Sequence, residues 1–196
     1  KTEIKDVETF NTGQHLSWSA MLRKTIEAVK TPFVLLSMED FFFQSKVDSA
    51  KVENLLDYVI GEDISMLRLI PRPGPNMDLQ QDANLGKISM NANYRVSGQA
   101  SFWKSEVLLD LLDDSESLWE FEINATKRSQ KYDGFVSVIK PIFTYKHHVI
   151  ERGKWFPWSA LKFKRMNIGV DLKSREVMGF IETVVWCLKK NANTNS

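Results

Sequence analysis

The stretch that decides the fold covers residues 33–70 and has the sequence FVLLSMEDFFFQSKVDSAKVENLLDYVIGEDISMLRLI. It opens with the continuous apolar run FVLL, a pattern typical of a strand that is buried on both faces of a sheet. Asp48 is placed to cap a helix with apolar residues at helical spacing, and Gly61 ends that helix. Residues 64–70 are apolar enough to form a second strand. This strand–helix–strand order predicts an α/β domain with a mixed, mostly parallel sheet flanked by helices.

Capping residues and apolar spacing predict further elements on both sides of this stretch. A helix is expected over residues 18–29, with Ser17 or Ser19 as its cap. Later patterns predict strands over residues 96–103, 135–139 and 142–145, and helices over 104–112, from Ser115 or Ser117 onward, and over 174–190. Residues 71–76 are too rich in proline to pair in a sheet, and residues 77–93 are polar and irregular, so both are expected to be loops.

The composition is that of a globular protein and excludes several classes of function. Of 196 residues, 43% are hydrophobic and 26% are charged. No apolar run approaches the roughly 20 residues that a spanning helix needs. The single cysteine, Cys187, cannot form a disulfide within the chain, which favours a reducing compartment such as the cytoplasm. The absence of G-x-G-x-x-G, Walker, G-x-S-x-G and paired C-x-x-C motifs argues against a Rossmann oxidoreductase, a P-loop NTPase, an α/β-hydrolase and a zinc module.

The charge is unevenly distributed, although the net charge is only +1. Residues 1–145 hold 16 basic and 21 acidic side chains, whereas residues 146–196 hold ten basic and four acidic ones. This basic quarter indicates either an anionic ligand or surface, or an ordinary solvated helix face. Aromatic residues alternate with Lys162, Lys164 and Arg165, which suits contact with a membrane surface as well as a packed surface helix. The near-neutral total and the lack of basic–aromatic repetition argue against nucleic-acid binding.

Acidic residues at two places are candidates for chemistry. Glu39 and Asp40 follow the first apolar run, and carboxylates at a strand end can bind a divalent metal or simply cap a turn. Glu120 is expected at a helix N-terminus, where the dipole stabilises its anion, so it is either a general base or a plain dipole partner. Glu122, two residues further on, is expected on a different face of that helix.

Basic residues around Gly153 form the last candidate. Arg152 and Lys154 flank this glycine and can bind a phosphate, in a segment that is mobile until the ligand binds. Alternatively they only meet acidic side chains of residues 1–145, which carry a net charge of −5. His147 and His148 are adjacent, so on a strand they point to opposite faces and do not chelate one metal.

Six motifs occur in an order that resembles one protein family. They are Trp18-Ser19-x-x-Leu22, Thr31-Pro32-Phe33-Val34-Leu35-Leu36-x-x-Glu39-Asp40-Phe41-Phe42, Leu67-Arg68-Leu69 with its Pro-Gly-Pro loop, Tyr94-Arg95-Val96-Ser97-x-Gln99-Ala100-x-x-Trp103, Trp119-Glu120-Phe121-Glu122 and Lys127-Arg128-Ser129. Together, over residues 17–155, they resemble GT-A-type glycosyltransferases of bacterial gene clusters for lipopolysaccharide or capsule.

The resemblance implies an inverting enzyme with a nucleotide-sugar donor and a saccharide or lipid-linked acceptor. It implies that Asp40, with Glu39, holds Mn²⁺ or Mg²⁺ on the donor diphosphate, and that Glu120 is the catalytic base. Trp119 would stack on the acceptor sugar. The other substrate-binding residues that it implies are Arg95, Gln99, Trp103, Glu122, Arg152 and Lys154. Arg95 and Gln99 are expected on one side of a strand, four residues apart.

The resemblance also predicts the domain organisation. A GT-A-like domain is expected over residues 1–155, with a basic helical extension over residues 156–196 packed on it. The fold usually opens with a nucleotide-binding strand, yet no clear apolar strand precedes Trp18. We therefore expect that the chain is truncated there or that this half of the site is reduced. A noncatalytic saccharide- or nucleotide-binding module on the same fold is the alternative. The enzyme is expected in the cytoplasm, with peripheral contact to the inner face of the cell membrane.

Overall fold

The structure, a computed structural model, describes residues 7–12, 15–38, 41–79, 83–146, 149–151, 153–166 and 171–194, the last six of these by their backbone only. The chain divides into two compact units. Unit 1 consists of Lys1–Met38 and Val47–Phe143, and unit 2 of Glu39–Lys46 and Thr144–Ser196. The second unit thus begins before the domain boundary that the sequence predicted after residue 155, and it takes in a segment from the first third of the chain.

Helices and short strands alternate along the chain. In order they are α1 Trp18–Val29, β1 Phe33–Leu36, β2 Phe42–Phe43, α2 Ser49–Gly61, β3 Met66–Arg68, β4 Met77–Asp78, β5 Leu85–Lys87, β6 Ser101–Lys104, α3 Ser105–Leu111, α4 Leu118–Arg128, β7 Phe135–Val138, β8 Tyr145–Lys146, β9 Ile150–Glu151, β10 Lys154–Trp155, α5 Pro157–Arg165 and α6 Phe180–Thr194. A 3₁₀ turn, Ser129–Lys131, follows α4. The α/β class predicted from the sequence is confirmed.

Unit 1 contains a six-stranded sheet in the order β1-β6-β3-β7-β5-β4. Among the ladders that the structure describes, the β3–β7 pair is parallel and the other pairs of this sheet are antiparallel. The prediction of a mostly parallel sheet was therefore wrong. Strands β1 and β3 do run in the same direction, as a strand–helix–strand unit requires, but β6 comes back from later in the chain and lies between them.

Strand β1 lies at the edge of this sheet and is only half-buried. Its Leu35 side chain is 47% exposed, so the prediction of a strand buried on both faces was wrong. The central strands have that property instead. In β3 both Met66 and Leu67 are buried, and in β6 both Phe102 and Trp103 are buried, although neighbouring residues point to opposite faces. An apolar run of four residues reports burial in general and not the position of the strand in the sheet.

One face of the sheet packs against α1, α3 and α4. The core there is a cluster of buried residues from all three helices and three strands: Ile26, Met66, Trp103, Leu108, Leu111, Phe121, Ala125 and Phe135. Each large apolar side chain in such a core contributes about 1.5–3 kcal/mol relative to an exposed position. This packing fixes the N-terminal turn of α4 relative to the strand ends.

Several predicted element boundaries shift in the structure. Helices α1 and α2 have the predicted residues and caps, Ser17 and Asp48. The strand expected over residues 96–103 begins only at Ser101, and turns and bends occupy the residues before it. The loop expected over residues 77–93 contains β4 and β5, which complete the sheet. The final helix begins at Phe180 instead of residue 174.

Unit 2 has a small core of its own. Two ladders, β2–β8 and β9–β10, are both antiparallel. Val149, Trp155, Ala160 and Phe163 form the buried cluster, and the Phe42 ring lies 5.2 Å from the Phe163 ring. Across the described part of the chain, none of the helices combines the length and the hydropathy needed to cross a bilayer.

Candidate functional site

The candidate site lies at the edge of the sheet in unit 1 where β1 and β3 end and β6 begins. Leu36 of β1 and Arg68 of β3 both pair with Ser101, the first residue of β6, so these three strand ends are neighbours. Gly98 lies in the segment that leads into β6. We call this place the sheet-edge site and define it by Met38, Gly98, Leu118, Trp119 and Glu122. In open α/β sheets, ligands bind beyond the carboxyl ends of such strands.

Glu120 and Glu122 lie on opposite sides of the first turns of helix α4. Ser117 caps the helix with its hydroxyl, and Glu120 closes a capping box with Ser117. The Ser117 N–H and Oγ–H donate to Glu120 Oε2 over 2.8 and 2.6 Å. These two hydrogen bonds lower the pKa of Glu120, which makes it a weaker base than an ordinary glutamate. The structure therefore gives Glu120, the base predicted from the sequence, a capping role.

Glu122 points to the sheet-edge site instead. Its Oε1 accepts a hydrogen bond of 2.6 Å from the backbone N–H of Gly98. A Cβ atom added to Gly98 would lie 3.4 Å from Leu118 Cδ1 and 3.5 Å from both Glu122 Oε1 and Met38 Cε, so the carboxylate sits in a closely packed wall. The side chain is half-buried.

A buried arginine lies behind this wall. Arg68 is fully buried and donates to the carbonyl oxygens of Pro73, Tyr94 and Arg95 over 2.5, 2.8 and 2.8 Å. Burial lowers the pKa of Arg68 to about 10, while the negative charge of Glu122 acts in the opposite direction. The guanidinium thus holds the loop at Pro73 and the segment before Gly98 in place, and its positive charge attracts the Glu122 carboxylate. This role was not predicted from the sequence. The available signal was an arginine between two leucines of a buried strand, since a buried charge needs partners.

Trp119 supplies an apolar surface beside Glu122. It is three residues earlier on α4, so the two side chains are neighbours on the helix surface. The indole is 75% exposed, although tryptophan is usually largely buried. An exposed indole face next to a carboxylate is suited to a ligand that has both C–H groups and hydroxyls.

Arg95 is held away from the sheet-edge site. Its Nη1 donates to the carbonyl oxygen of Ser129 and, over 3.0 Å, to Ser129 Oγ, while Nη2 donates to the Tyr132 carbonyl over 2.8 Å. The guanidinium also lies 3.9 Å from the Phe135 ring centre, and burial lowers its pKa. Phe135 pairs with Met66, at the opposite end of β3 from Arg68. Arg95 therefore braces the turn after α4, and the structure does not bring it to Glu122.

Trp103 and Gln99, which were also predicted to line the pocket, lie in different surroundings. Trp103 is fully buried and packs edge-on against Phe135 with the ring centres 5.8 Å apart, so it belongs to the core. Gln99 is half-buried and directly follows Gly98, which keeps it at the sheet-edge site. Arg95 and Gln99 do not have the predicted strand spacing, because none of residues 94–100 belongs to a strand.

Of the residues predicted to bind phosphate or metal, the structure describes only Lys154, which belongs to unit 2. Lys154 Nζ lies 2.9 Å from Glu182 Oε1 and 3.4 Å from Glu176 Oε2, and these contacts raise the pKa of Lys154. Lys154 thus meets acidic side chains, but these belong to its own unit and not to residues 1–145, where the alternative to phosphate binding had placed them. The other predicted ligands, Glu39, Asp40 and Arg152, lie outside the described residues, as do His147 and His148. The described residues contain no group of three or more His, Cys, Asp or Glu side chains that could hold a metal ion.

Comparisons with protein-family models, with curated proteins and with solved structures gave no match for this chain. The site must therefore be interpreted from its own geometry: one anchored carboxylate, an exposed indole beside it and a buried cation behind it.

Proposed function

We propose that this protein is an inverting glycosyltransferase that moves a sugar from a nucleotide-sugar donor to a saccharide or lipid-linked acceptor in bacterial surface polysaccharide synthesis. The observation that carries the proposal is the Glu122 carboxylate, anchored on the Gly98 N–H at a strand-end edge beside the exposed Trp119. The motif order over residues 17–155, which resembles GT-A-type enzymes, supports it. We assign the base to Glu122 in place of Glu120.

Glu122 would act on the acceptor hydroxyl. The indole of Trp119 stacks on the acceptor ring and directs a hydroxyl towards the second carboxylate oxygen of Glu122. The carboxylate takes the hydroxyl proton as the oxygen attacks the anomeric carbon of the donor. A new C–O bond forms, the bond from the anomeric carbon to the diphosphate breaks, and the nucleoside diphosphate leaves with the electron pair. Attack opposite the leaving group inverts the anomeric configuration.

The donor side of the proposal rests on residues outside the described part of the chain. Asp40 and Glu39 are hard oxygen ligands of the kind that Mg²⁺ and Mn²⁺ prefer, and Arg152 is a cation suited to a phosphate. A bound metal ion would neutralise charge that develops on the leaving diphosphate. Lys154 is not assigned to this group, because Glu176 and Glu182 already engage it.

The test compares one substitution at two positions of the same helix. The purified chain is incubated with Mn²⁺, a panel of nucleotide sugars and simple acceptors, and the released nucleoside diphosphate is measured. We expect Glu122→Gln to lower turnover by about 10²-fold or more, because general base catalysis is typically worth 10²–10⁴. Glu120→Gln is the matched control, since glutamine preserves the capping box, and we expect it to retain most of the turnover.

Two outcomes would contradict the proposal. If Glu120→Gln abolishes turnover and Glu122→Gln does not, the base is the capping residue and the assignment is wrong. If a nucleotide sugar binds in calorimetry but is neither transferred nor hydrolysed by the wild type with any acceptor, the protein is the noncatalytic binding module that the sequence left open.

A further inference from the structure

Helix α6 of unit 2 carries a continuous apolar face that is exposed. Its members are Phe180, Ile181, Val184, Val185 and Leu188, and we call them the α6 face. At about 100° per residue they span an arc of roughly 140°, and no charged residue lies within that arc among residues 180–188. Phe180 and Ile181 are 80% and 77% exposed, which is unusual for side chains of this size.

The opposite side of α6 is already occupied by contacts within unit 2. Thr183 is buried, and its hydroxyl donates to the Gly179 carbonyl over 2.9 Å. The Trp186 ring lies 5.0 Å from the Phe156 ring. Glu182, in the first turn, pairs with Lys154 of β10. These contacts fix the orientation of the helix, so the α6 face points away from the packing of its own unit.

The charge around this helix indicates what the α6 face contacts. Residues 146–196 hold ten basic and four acidic side chains, and Lys189 and Lys190 directly follow the α6 face in sequence. Helix α5 of the same unit combines Trp158, which is 67% exposed, and the exposed Leu161 with Lys162, Lys164 and Arg165. Exposed apolar and aromatic side chains together with lysine and arginine are the composition of helices that lie in the interface of an anionic membrane.

We infer that the α6 face inserts into the surface of a bilayer that contains anionic phospholipids. The helix has 15 residues and a length of about 22 Å, so it is too short to span and would lie in the plane of the interface. A second copy of the chain is a poorer occupant, because dimerisation through α6 would bring two strongly basic segments together. The inference does not depend on the proposed transferase activity, since no residue of the sheet-edge site takes part.

The experiment measures binding of the full chain to vesicles. Sedimentation is compared for vesicles of phosphatidylcholine alone and of phosphatidylcholine with phosphatidylglycerol, each at low and high salt. We expect binding to the anionic vesicles only, and weaker binding at high salt. The double variant Phe180→Gln/Ile181→Gln should bind at least about tenfold more weakly, because two large apolar side chains no longer enter the lipid.

A control variant and circular dichroism distinguish a loss of membrane insertion from a loss of folding or a nonspecific effect of the substitution. Ile60→Gln changes an isoleucine on α2 of unit 1 that is 53% exposed, and it should leave vesicle binding unchanged. The helical signal of the double variant should equal that of the wild type, since both substituted side chains are exposed. The inference is overturned if the double variant binds as tightly as the wild type, or if neutral vesicles bind equally well. It is also overturned if the wild type does not bind vesicles and instead forms a dimer that the two substitutions abolish.

Discussion

At the scale of single residues, Arg95 shows how a buried cation can be mistaken for a ligand. Its donors satisfy the carbonyl oxygens of Ser129 and Tyr132, and its charge lies over the Phe135 ring. Replacing Arg95 by Met would leave both carbonyl groups without that partner. We expect Arg95→Met to lower the free energy of unfolding by about 2–4 kcal/mol, measured by urea denaturation.

The same variant also separates a structural role from substrate binding. If Arg95 only braces the turn after α4, the KM for the donor of the folded variant should equal that of the wild type. Arg72→Met changes an exposed arginine of unit 1 and serves as the control, with an expected change in stability within about 0.5 kcal/mol. A stable Arg95→Met variant with a raised KM would return Arg95 to the substrate pocket.

At the scale of elements, α4 depends on its capping box. Ser117→Ala removes the hydroxyl that accepts from the Glu120 N–H and donates to its carboxylate, so we expect a loss of about 1 kcal/mol in the free energy of unfolding. Ser117→Thr retains the hydroxyl and should recover most of this loss. Both values come from thermal or urea denaturation. A Ser117→Ala variant as stable as the wild type would show that core packing alone holds the N-terminus of α4.

Helices were easier to predict than strand neighbours because their signals are local. The cap at Asp48, the apolar spacing and Gly61 fixed α2 within a short window of sequence. The position of β6 between β1 and β3 depends on a segment that follows β3 by more than 30 residues, and no local pattern contains it. Strands β4 and β5 have only two and three residues, too few for a period of two to be visible.

The candidate site was only partly predicted from the sequence, again because local signals were visible and long-range contacts were not. Its elements could be found from motifs, but the choice between Glu120 and Glu122 depends on where each side chain points. Ser117 and Glu120 have the S-x-x-E spacing of a capping box, a signal in the sequence that already favours the capping role. The contact between Glu122 and Gly98 joins residues 24 positions apart, and only the packed structure reveals it.

At the scale of the whole molecule, the two units differ in what their surfaces can do. The helical face of the unit 1 sheet is closed by its core, and the sheet-edge site occupies one edge of that sheet. Unit 2 has a core of a few aromatic and aliphatic residues and leaves much apolar surface on α5 and α6 exposed. A transferase that uses a lipid-linked acceptor needs both properties, which is why the vesicle and turnover experiments are informative together but can fail independently.

The stability of the molecule should fall in mild acid because several carboxylates of unit 1 have lowered pKa values. Lys131 is the main cause for Asp110, and the hydroxyl and N–H of Ser115 are the cause for Asp113. A carboxylate with a lowered folded-state pKa stabilises the fold above its unfolded pKa, near 4, and this contribution is lost as the pH falls through the folded value. We expect the thermal midpoint to decline from about pH 5 downward, and Asp110→Asn or Asp113→Asn to flatten that decline.

Salt distinguishes the two causes of the lowered pKa values. About 0.5 M NaCl should weaken the contribution of the exposed Asp110–Lys131 pair but not that of the hydrogen-bonded Asp113. A midpoint that stays constant down to about pH 3, or identical slopes for wild type and both variants, would contradict this account, because protonation would then cost the folded state nothing.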